Sequence, residues 1–237
     1  MRGARVDCRD EQTQDTKPDP VTHRIVVTEM RGSPMEVFLF APAGAGPHPG
    51  LVLCQHIPVG HTGIENDTVT LETAERFCAN GYTVAVPFIF HWWPKSADIE
   101  VKRAGFRDDW TRLDLDAAYE RPAAQPDVDR ERIGIAGHCW GGRVAWLGAC
   151  TNPRYKACAV FYAGRVKLVM GEGNPPAIEL AGNIRCGRLR RCTNQGGRRA
   201  RVSPLRRCGA CVSVVQQSRA LPARGERGCV GEGAGVL

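Results

Sequence analysis

The stretch between Ile133 and Cys150 constrains the fold more than any other part of this sequence. Residues 133–136 form a short apolar run, residues 137–142 form a glycine-rich turn, and an almost wholly apolar segment follows through Cys150. A short apolar run is typical of a buried parallel strand, and a sharp turn into a longer apolar segment indicates a covering helix. The stretch therefore predicts a strand–turn–helix unit with Cys139 at its apex.

Patterns on both sides of this unit predict alternating strands and helices. Strands are predicted at residues 23–29, 35–40, 51–55, 82–86, 133–136 and 157–162, and helices at residues 67–80 and 108–120. Asp67 is the expected N-cap of the first of these helices, and Gly81 stands where a C-terminal cap glycine belongs. Strands that alternate with helices indicate an α/β fold, in which a mostly parallel, doubly wound sheet carries helices on both faces.

The composition changes abruptly near residue 186. Residues 187–237 contain eleven Arg, no Lys, two acids, four Cys and no aromatic residue, a net charge of +9 that leaves −2 for residues 1–186. A disordered basic tail usually carries Lys, Ser and acids, whereas this composition is typical of a GC-rich gene read out of frame. We predict an irregular arm over residues 1–22, a globular core over 23–186, a disordered or out-of-frame tail, and hence a sheet incomplete at its C-terminal end.

Several classes of protein are disfavoured by what the sequence lacks. No apolar run approaches the roughly 20 residues of a membrane-spanning helix, and the first 20 residues lack the apolar core of a secretory signal. Many of the eleven cysteines lie in apolar segments, which is typical of buried free thiols in a reducing compartment. A cytoplasmic enzyme with no cofactor is therefore expected.

The spacing around Cys139 predicts its chemistry. Gly137, Cys139 and Gly141 form a glycine–x–nucleophile–x–glycine turn. A side chain on such a turn is held in a strained conformation, and the glycines lack the β-carbons that would collide across it. The N-terminus of the next helix favours a thiolate, and the backbone N–H of Trp140 is a candidate oxyanion donor. The alternative interpretation of Cys139 is a buried structural thiol.

The turn sequence Gly-His-Cys-Trp-Gly-Gly, residues 137–142, resembles the nucleophile elbow of the dienelactone hydrolase family of α/β-hydrolases. Residues 51–55, 79–87 and 113–119 support this resemblance, which runs from about residue 23 to 186. The resemblance implies a hydrolase that cleaves a small ester, thioester or lactone through an acyl-enzyme on Cys139. It also implies a second oxyanion donor, the N–H of Ile57. Separately, we expect a monomer that binds neither membrane nor nucleic acid.

Two departures from the family pattern stand out. His56 occupies the position where the family usually has a Glu that contacts the thiol, so it either pairs with Cys139 or only supports the site. The family order is nucleophile, Asp, His, yet the last Asp here is Asp129 and the last His is His138. The triad Asp and His are therefore not identifiable, and a chain without a triad base is expected to deacylate poorly.

Weaker signals leave alternatives open. Trp92 and Trp93 either line a substrate pocket or cover the core. The loop histidines and a Cys-x-x-Cys pair in the tail lack the spacing of a metal site, so no metal is expected. Two other functions remain as alternatives, namely a nucleic-acid-binding protein that uses the Arg-rich tail and a non-catalytic α/β-hydrolase relative.

Overall fold

The structure, a computed structural model, describes residues 23–185 and a strand at residues 212–215. The predicted arm over residues 1–22 and the rest of the predicted tail lie outside the described residues. The strands are β1 (His23–Met30), β2 (Ser33–Phe40), β3 (His48–Cys54), β4 (Thr83–Pro87), β5 (Val128–His138), β6 (Ala157–Phe161) and β7 (Val212–Val215). The α-helices are α1 (Thr68–Ala79), α2 (Ile99–Ala104), α3 (Asp108–Ala123) and α4 (Trp140–Thr151), and 3₁₀ helices occupy Ile64–Asn66 and Ala177–Asn183.

The strands form one sheet in the order β1-β2-β4-β3-β5-β6-β7. The β1–β2 and β2–β4 pairs are antiparallel, and the other four pairs are parallel. The prediction of a mostly parallel sheet is confirmed. Because β3, β4, β5 and β6 run in the same direction, the segments that follow them gather at one edge of the sheet, where ligands bind in folds of this kind.

Helices cover both faces of the sheet, as predicted. Alternate residues of a strand point to opposite faces. On β2, Val37 and Leu39 lie in an apolar cluster with Leu113 of α3, whereas Phe38 lies in a separate cluster with Ala74 of α1. None of the helices among the described residues is long and apolar enough to cross a bilayer.

The structure differs from the sequence prediction mainly at element ends. Strand β5 begins at Val128 rather than residue 133 because its charged, partly exposed first half still pairs with β3 across a register shift. Helix α3 continues past its predicted end to Ala123 and includes Pro122 in its last turn. The six-residue helix α2, which Asp98 caps, was not predicted, since so short a helix has no measurable periodicity.

Candidate active site

Cys139 lies at the apex of the turn between β5 and α4, as the sequence predicts. Its backbone has φ 54° and ψ −114°, and a positive φ in a residue other than glycine costs about 1–3 kcal/mol. The N–H of Cys139 donates to the carbonyl oxygen of Phe161 at 3.0 Å, and the N–H of Arg143 donates to the carbonyl oxygen of Cys139 at 3.3 Å. Strands β5 and β6 and helix α4 thus hold the residue in its strained conformation, with the side chain partly exposed.

The glycines of the turn permit contacts that no side chain would allow. A β-carbon on Gly137 would overlap the carbonyl group of Gly141, and one on Gly141 would overlap the carbonyl oxygens of Cys54 and Gln55. The predicted collision across the turn is found at Gly137, whereas Gly141 is required by the close approach of the end of β3. The turn consequently packs directly against the end of β3.

The segment after β3, residues 55–63, which we call the post-β3 loop, is fastened at its start. The N–H of Gly141 donates to the carbonyl oxygen of His56 at 3.4 Å. The N–H of His56 donates to Oδ2 of Asp67 at 2.9 Å and to Oγ1 of Thr70 at 2.8 Å. Asp67 also caps α1 through the N–H of Thr70. The loop is therefore fixed to the turn on one side and to α1 on the other.

The two predicted oxyanion donors have N–H groups without backbone acceptors. Trp140 is the first residue of α4, and the first N–H groups of a helix have no intrahelical partner. The N–H of Ile57 donates to no acceptor within residues 23–185. The N–H of His56, by contrast, is already bonded and cannot serve in this role.

His56 contacts a tyrosine that the sequence analysis did not single out. Nε2 of His56 lies 3.4 Å from the hydroxyl of Tyr162, and the two rings meet edge to face at 6.3 Å between centroids. Tyr162 follows β6 with φ 39°. Burial raises the pKa of Tyr162, and the charge of the nearby Cys139 thiolate raises it further, so the phenol stays protonated at neutral pH. Its place directly after a strand at the active edge is the signal that could have identified it.

His138 completes this group on the strand side of the turn. Its ring stacks on Phe161 at 4.4 Å between centroids. Burial lowers the pKa of His138, and the proximity of His56 lowers it further. The imidazole of His138 is consequently neutral at pH 7, and it lies near enough to His56 for the two rings to interact electrostatically.

Buried polar atoms without partners are concentrated at the turn. Those at the turn are both amide atoms of Gln55, Nδ1 of His56 and Nε1 of Trp140. An unpaired buried polar group costs about 1–3 kcal/mol, so each such group in a native structure calls for an explanation. Within the described part of the chain, four of the seven atoms of this kind belong to these three residues. The site retains hydrogen-bonding capacity that a substrate or water can use.

The two candidate pocket tryptophans pack mainly against α3. The indole N–H of Trp92 donates to Oδ2 of Asp114 at 3.0 Å, and its ring lies 5.0 Å from that of Trp110. The ring of Trp93 lies 6.3 Å from Phe90, which in turn lies 6.0 Å from Trp140. Trp93 is therefore connected to the turn through Phe90, whereas Trp92 points its polar atom away into the core.

The remaining histidines occupy separate positions. His61 contacts the carbonyl oxygen of Ser96 at 2.8 Å, and His91 contacts Asp114 at 3.0 Å. Among the residues described, no three His, Cys, Asp or Glu side chains are grouped so that they could hold a metal ion. Glu172 and Glu179 are exposed, and neither bonds to a histidine.

This chain is similar to several curated proteins. A Methylorubrum extorquens protein, provisionally named carboxymethylenebutenolidase, is 29% identical over 131 residues, which cover 51% of this chain and 42% of the relative. A similarly named Synechocystis protein is 28% identical over 150 residues, covering 59% of this chain and 58% of the relative. The chain spans about half the length of the curated relatives it matches.

The likeness extends to solved structures. The structure of a provisionally named dienelactone hydrolase from Klebsiella pneumoniae aligns with a TM-score of 0.58 at 24% identity, covering 71% of each chain. This likeness supports the α/β-hydrolase fold. The sequence model of the dienelactone hydrolase family matches residues 35–186, well over half of the 237 residues, and the chain therefore belongs to the dienelactone hydrolase family.

Proposed function

We propose that this chain carries the site of a hydrolase that acts on small esters, thioesters or lactones, with Cys139 as its nucleophile. The observation that carries the proposal is the backbone of Cys139, whose φ of 54° lies between a parallel strand and the first turn of α4. The relatives provisionally named carboxymethylenebutenolidase favour a lactone among these substrates. The family match covers residues 35–186 and leaves the nucleic-acid-binding alternative without support.

The first chemical step is acylation of the thiol. The thiolate sulfur attacks the carbonyl carbon, and the electron pair of the C=O bond moves onto the oxygen. The N–H groups of Trp140 and Ile57 stabilise that oxyanion. The tetrahedral intermediate then breaks its bond to the leaving oxygen or sulfur, which takes up a proton from a neighbouring acid or from water. An ester or thioester thereby releases its alcohol or thiol, whereas a lactone opens and keeps its new hydroxyl on the acyl group.

His56 is proposed as the partner of the thiol. Its ring shares Tyr162 as a neighbour with Cys139, and its Nδ1 is buried without a hydrogen bond. An imidazole in this position can accept the thiol proton and can later return one to the leaving oxygen. Trp92 and Trp93 remain candidates for the apolar wall of the substrate pocket.

The second step, hydrolysis of the acyl-enzyme, is expected to be slow. The sequence contains no Asp after Asp129 and no His after His138, so the family's acid–base pair does not follow the nucleophile. Loss of one member of a catalytic triad reduces kcat by about 10⁴–10⁶. We therefore propose a chain that acylates but releases its product inefficiently. The monomeric state, the cytoplasmic location, the absence of a cofactor and the out-of-frame tail stay predictions.

A burst experiment tests the proposal. Mixing the chain with p-nitrophenyl acetate should release about one equivalent of p-nitrophenolate, and mass spectrometry should locate the acetyl group on Cys139. The Cys139→Ser variant should lower the burst rate at least about 100-fold, because an alcohol ionises far less readily than a thiol and needs a base. The matched control is Cys78→Ser, which removes a buried thiol of α1 and should keep the burst. Acetylation spread over several cysteines, or no burst at all, would contradict the proposal.

A further inference from the structure

Lys102 is the most deeply buried ammonium group among the described residues. It lies on α2, and none of its surface is exposed. Its Nζ donates to the carbonyl oxygens of Val59 at 2.8 Å, Lys95 at 2.9 Å and Thr62 at 3.2 Å. An ammonium has three donors, and backbone oxygens accept all three of them. Among residues 23–185, no carboxylate contacts it directly.

These three bonds join two segments at the active edge of the sheet. Val59 and Thr62 belong to the post-β3 loop, whereas Lys95 follows the aromatic segment after β4. A second contact between the same segments runs from the N–H of His61 to the carbonyl oxygen of Ala97 at 3.1 Å. Lys102 therefore fixes the far end of the loop whose near end Asp67 and Thr70 already hold.

Burying a lysine this way is energetically expensive. Desolvation lowers the pKa of Lys102, which means that the protein environment opposes the charge that makes the three bonds. An apolar side chain would fill the same space without that cost. Gly60 and Gly63, however, leave the loop backbone with considerable conformational freedom. A cationic clamp is a direct way to hold such a loop in one conformation.

The residue that gains from this rigidity is Ile57. Along the chain, Ile57 lies between two fixed residues. On one side the N–H of His56 is bonded to α1 and its cap, and on the other the carbonyl oxygen of Val59 accepts from Lys102. An oxyanion donor works only when its hydrogen lies within bonding distance of the developing charge, so small displacements are costly. We infer that Lys102 is a positioning residue for the oxyanion hole, acting through the post-β3 loop on the N–H of Ile57. This inference rests on the proposed function.

The test compares two reactions of the same thiol. Acylation by p-nitrophenyl acetate passes through an oxyanion, whereas alkylation by iodoacetamide does not. In Lys102→Met the acylation rate constant should fall by about 10- to 100-fold, less than the roughly 10²- to 10³-fold for removal of a whole oxyanion donor, because the N–H of Ile57 is displaced but not lost. The alkylation rate constant of Cys139 should change by less than about threefold. The matched control is Arg103→Met, which removes the neighbouring cation of α2 and its exposed ion pair with Glu100 and should leave both rates unchanged.

Each other outcome has a defined meaning. A wild-type chain without a burst overturns the proposed function, and the inference falls with it. A wild-type burst that Lys102→Met leaves unchanged, or a parallel loss of acylation and alkylation, overturns the inference alone. If Lys102→Met does not fold, Lys102→Arg carries the test. Its planar guanidinium keeps the charge but matches the three acceptors poorly, so acylation alone should fall by about three- to tenfold, and equal rates would overturn the inference.

Discussion

Two clusters at the carboxyl edge of the sheet each contain a nucleophilic side chain and a histidine, and they differ in how their polar atoms are paired. In one, Oγ of Ser33 lies 2.8 Å from Nδ1 of His91, and Nε2 of His91 lies 3.0 Å from Asp114. In the other, Cys139 and His56 both neighbour Tyr162, and among residues 23–185 no carboxylate bonds to either side chain. By residue type, the first cluster is closer to a Ser-His-Asp triad.

The hydrogen bonds nevertheless indicate a structural role for the cluster of Ser33, His91 and Asp114, and they leave Cys139 as the candidate nucleophile. Asp114 and His91 are buried, and both oxygens of Asp114 are bonded, one to His91 and the other to the indole N–H of Trp92. The hydroxyl of Ser33 also contacts the carbonyl oxygen of His91 at 2.8 Å. A fully paired buried network rigidifies its surroundings, whereas a site that binds substrate must keep polar atoms available. Polar atoms without hydrogen-bond partners and a strained backbone therefore identify the candidate site better than the residue types do.

Loss of Asp114 should disrupt the paired cluster and cost more stability than any other substitution considered below. Asp114→Ala should lower the free energy of unfolding by about 3–5 kcal/mol, because His91 and the indole of Trp92 then lose a buried acceptor. Urea unfolding measures this change. The matched control, Asp116→Ala, removes an exposed carboxylate of the same helix that accepts from Asn152 and should cost about 1 kcal/mol or less. A stable Asp114→Ala variant that had lost the acylation burst would reverse the two roles.

Much of the fold was predictable because it depends on local patterns. The apolar runs of the parallel strands, the Asp67 cap of α1 and the turn at Cys139 each lie within a few neighbouring residues. The charged start of β5 escaped prediction because its pairing with β3 depends on a strand about 80 residues earlier. Helix α2 escaped for a different reason, since it is held by Lys102 contacts to distant carbonyl oxygens rather than by its own periodicity.

A smaller effect should sharpen the contrast between the two histidine clusters. His56→Ala should slow alkylation of Cys139 by iodoacetamide at pH 7 by about tenfold, because the imidazole is no longer present to accept the thiol proton. Ser33→Ala, the matched change in the paired cluster, should leave the alkylation rate unchanged and lower the free energy of unfolding by about 1 kcal/mol. Equal alkylation rates in His56→Ala and wild type would show that His56 does not act on the thiol and has only a supporting structural role.

Less of the site than of the fold was predictable from sequence. The positions of Cys139, Trp140 and Ile57 follow from one motif and one strand end. Tyr162 and His138 join the group only because β5 and β6 are neighbours in the sheet, with Gly137 paired to Val160. Single-sequence patterns predict that a strand exists, but they do not say which strand lies beside it.

The free energy of unfolding should also depend weakly on pH through Asp114, a group of the paired cluster that lies outside the group around Cys139. Burial raises the pKa of Asp114 above its ordinary value of 3.8, and the bonds from His91 and Trp92 offset only part of that rise. Between pH 3.8 and the raised pKa, the folded chain keeps a proton on Asp114 that the unfolded chain has lost. Protonated Asp114 therefore adds to the free energy of unfolding. This contribution is fully present below pH 3.8 and is lost as the pH rises through the folded-state pKa.

The measurement is a difference between two unfolding series. Asp114→Asn keeps the size of the side chain but removes its titration, so subtracting its free energy of unfolding from that of the wild type cancels the other ionisable groups. The difference should fall with rising pH above 3.8, by about 1.4 kcal/mol for each unit that separates the two pKa values. The acylation burst of Asp114→Asn should keep the pH dependence of the wild type, because Asp114 lies outside the group around Cys139. A difference that rises with pH would mean that Asp114 is held as a carboxylate by His91, and the buried cluster would then be an ion pair.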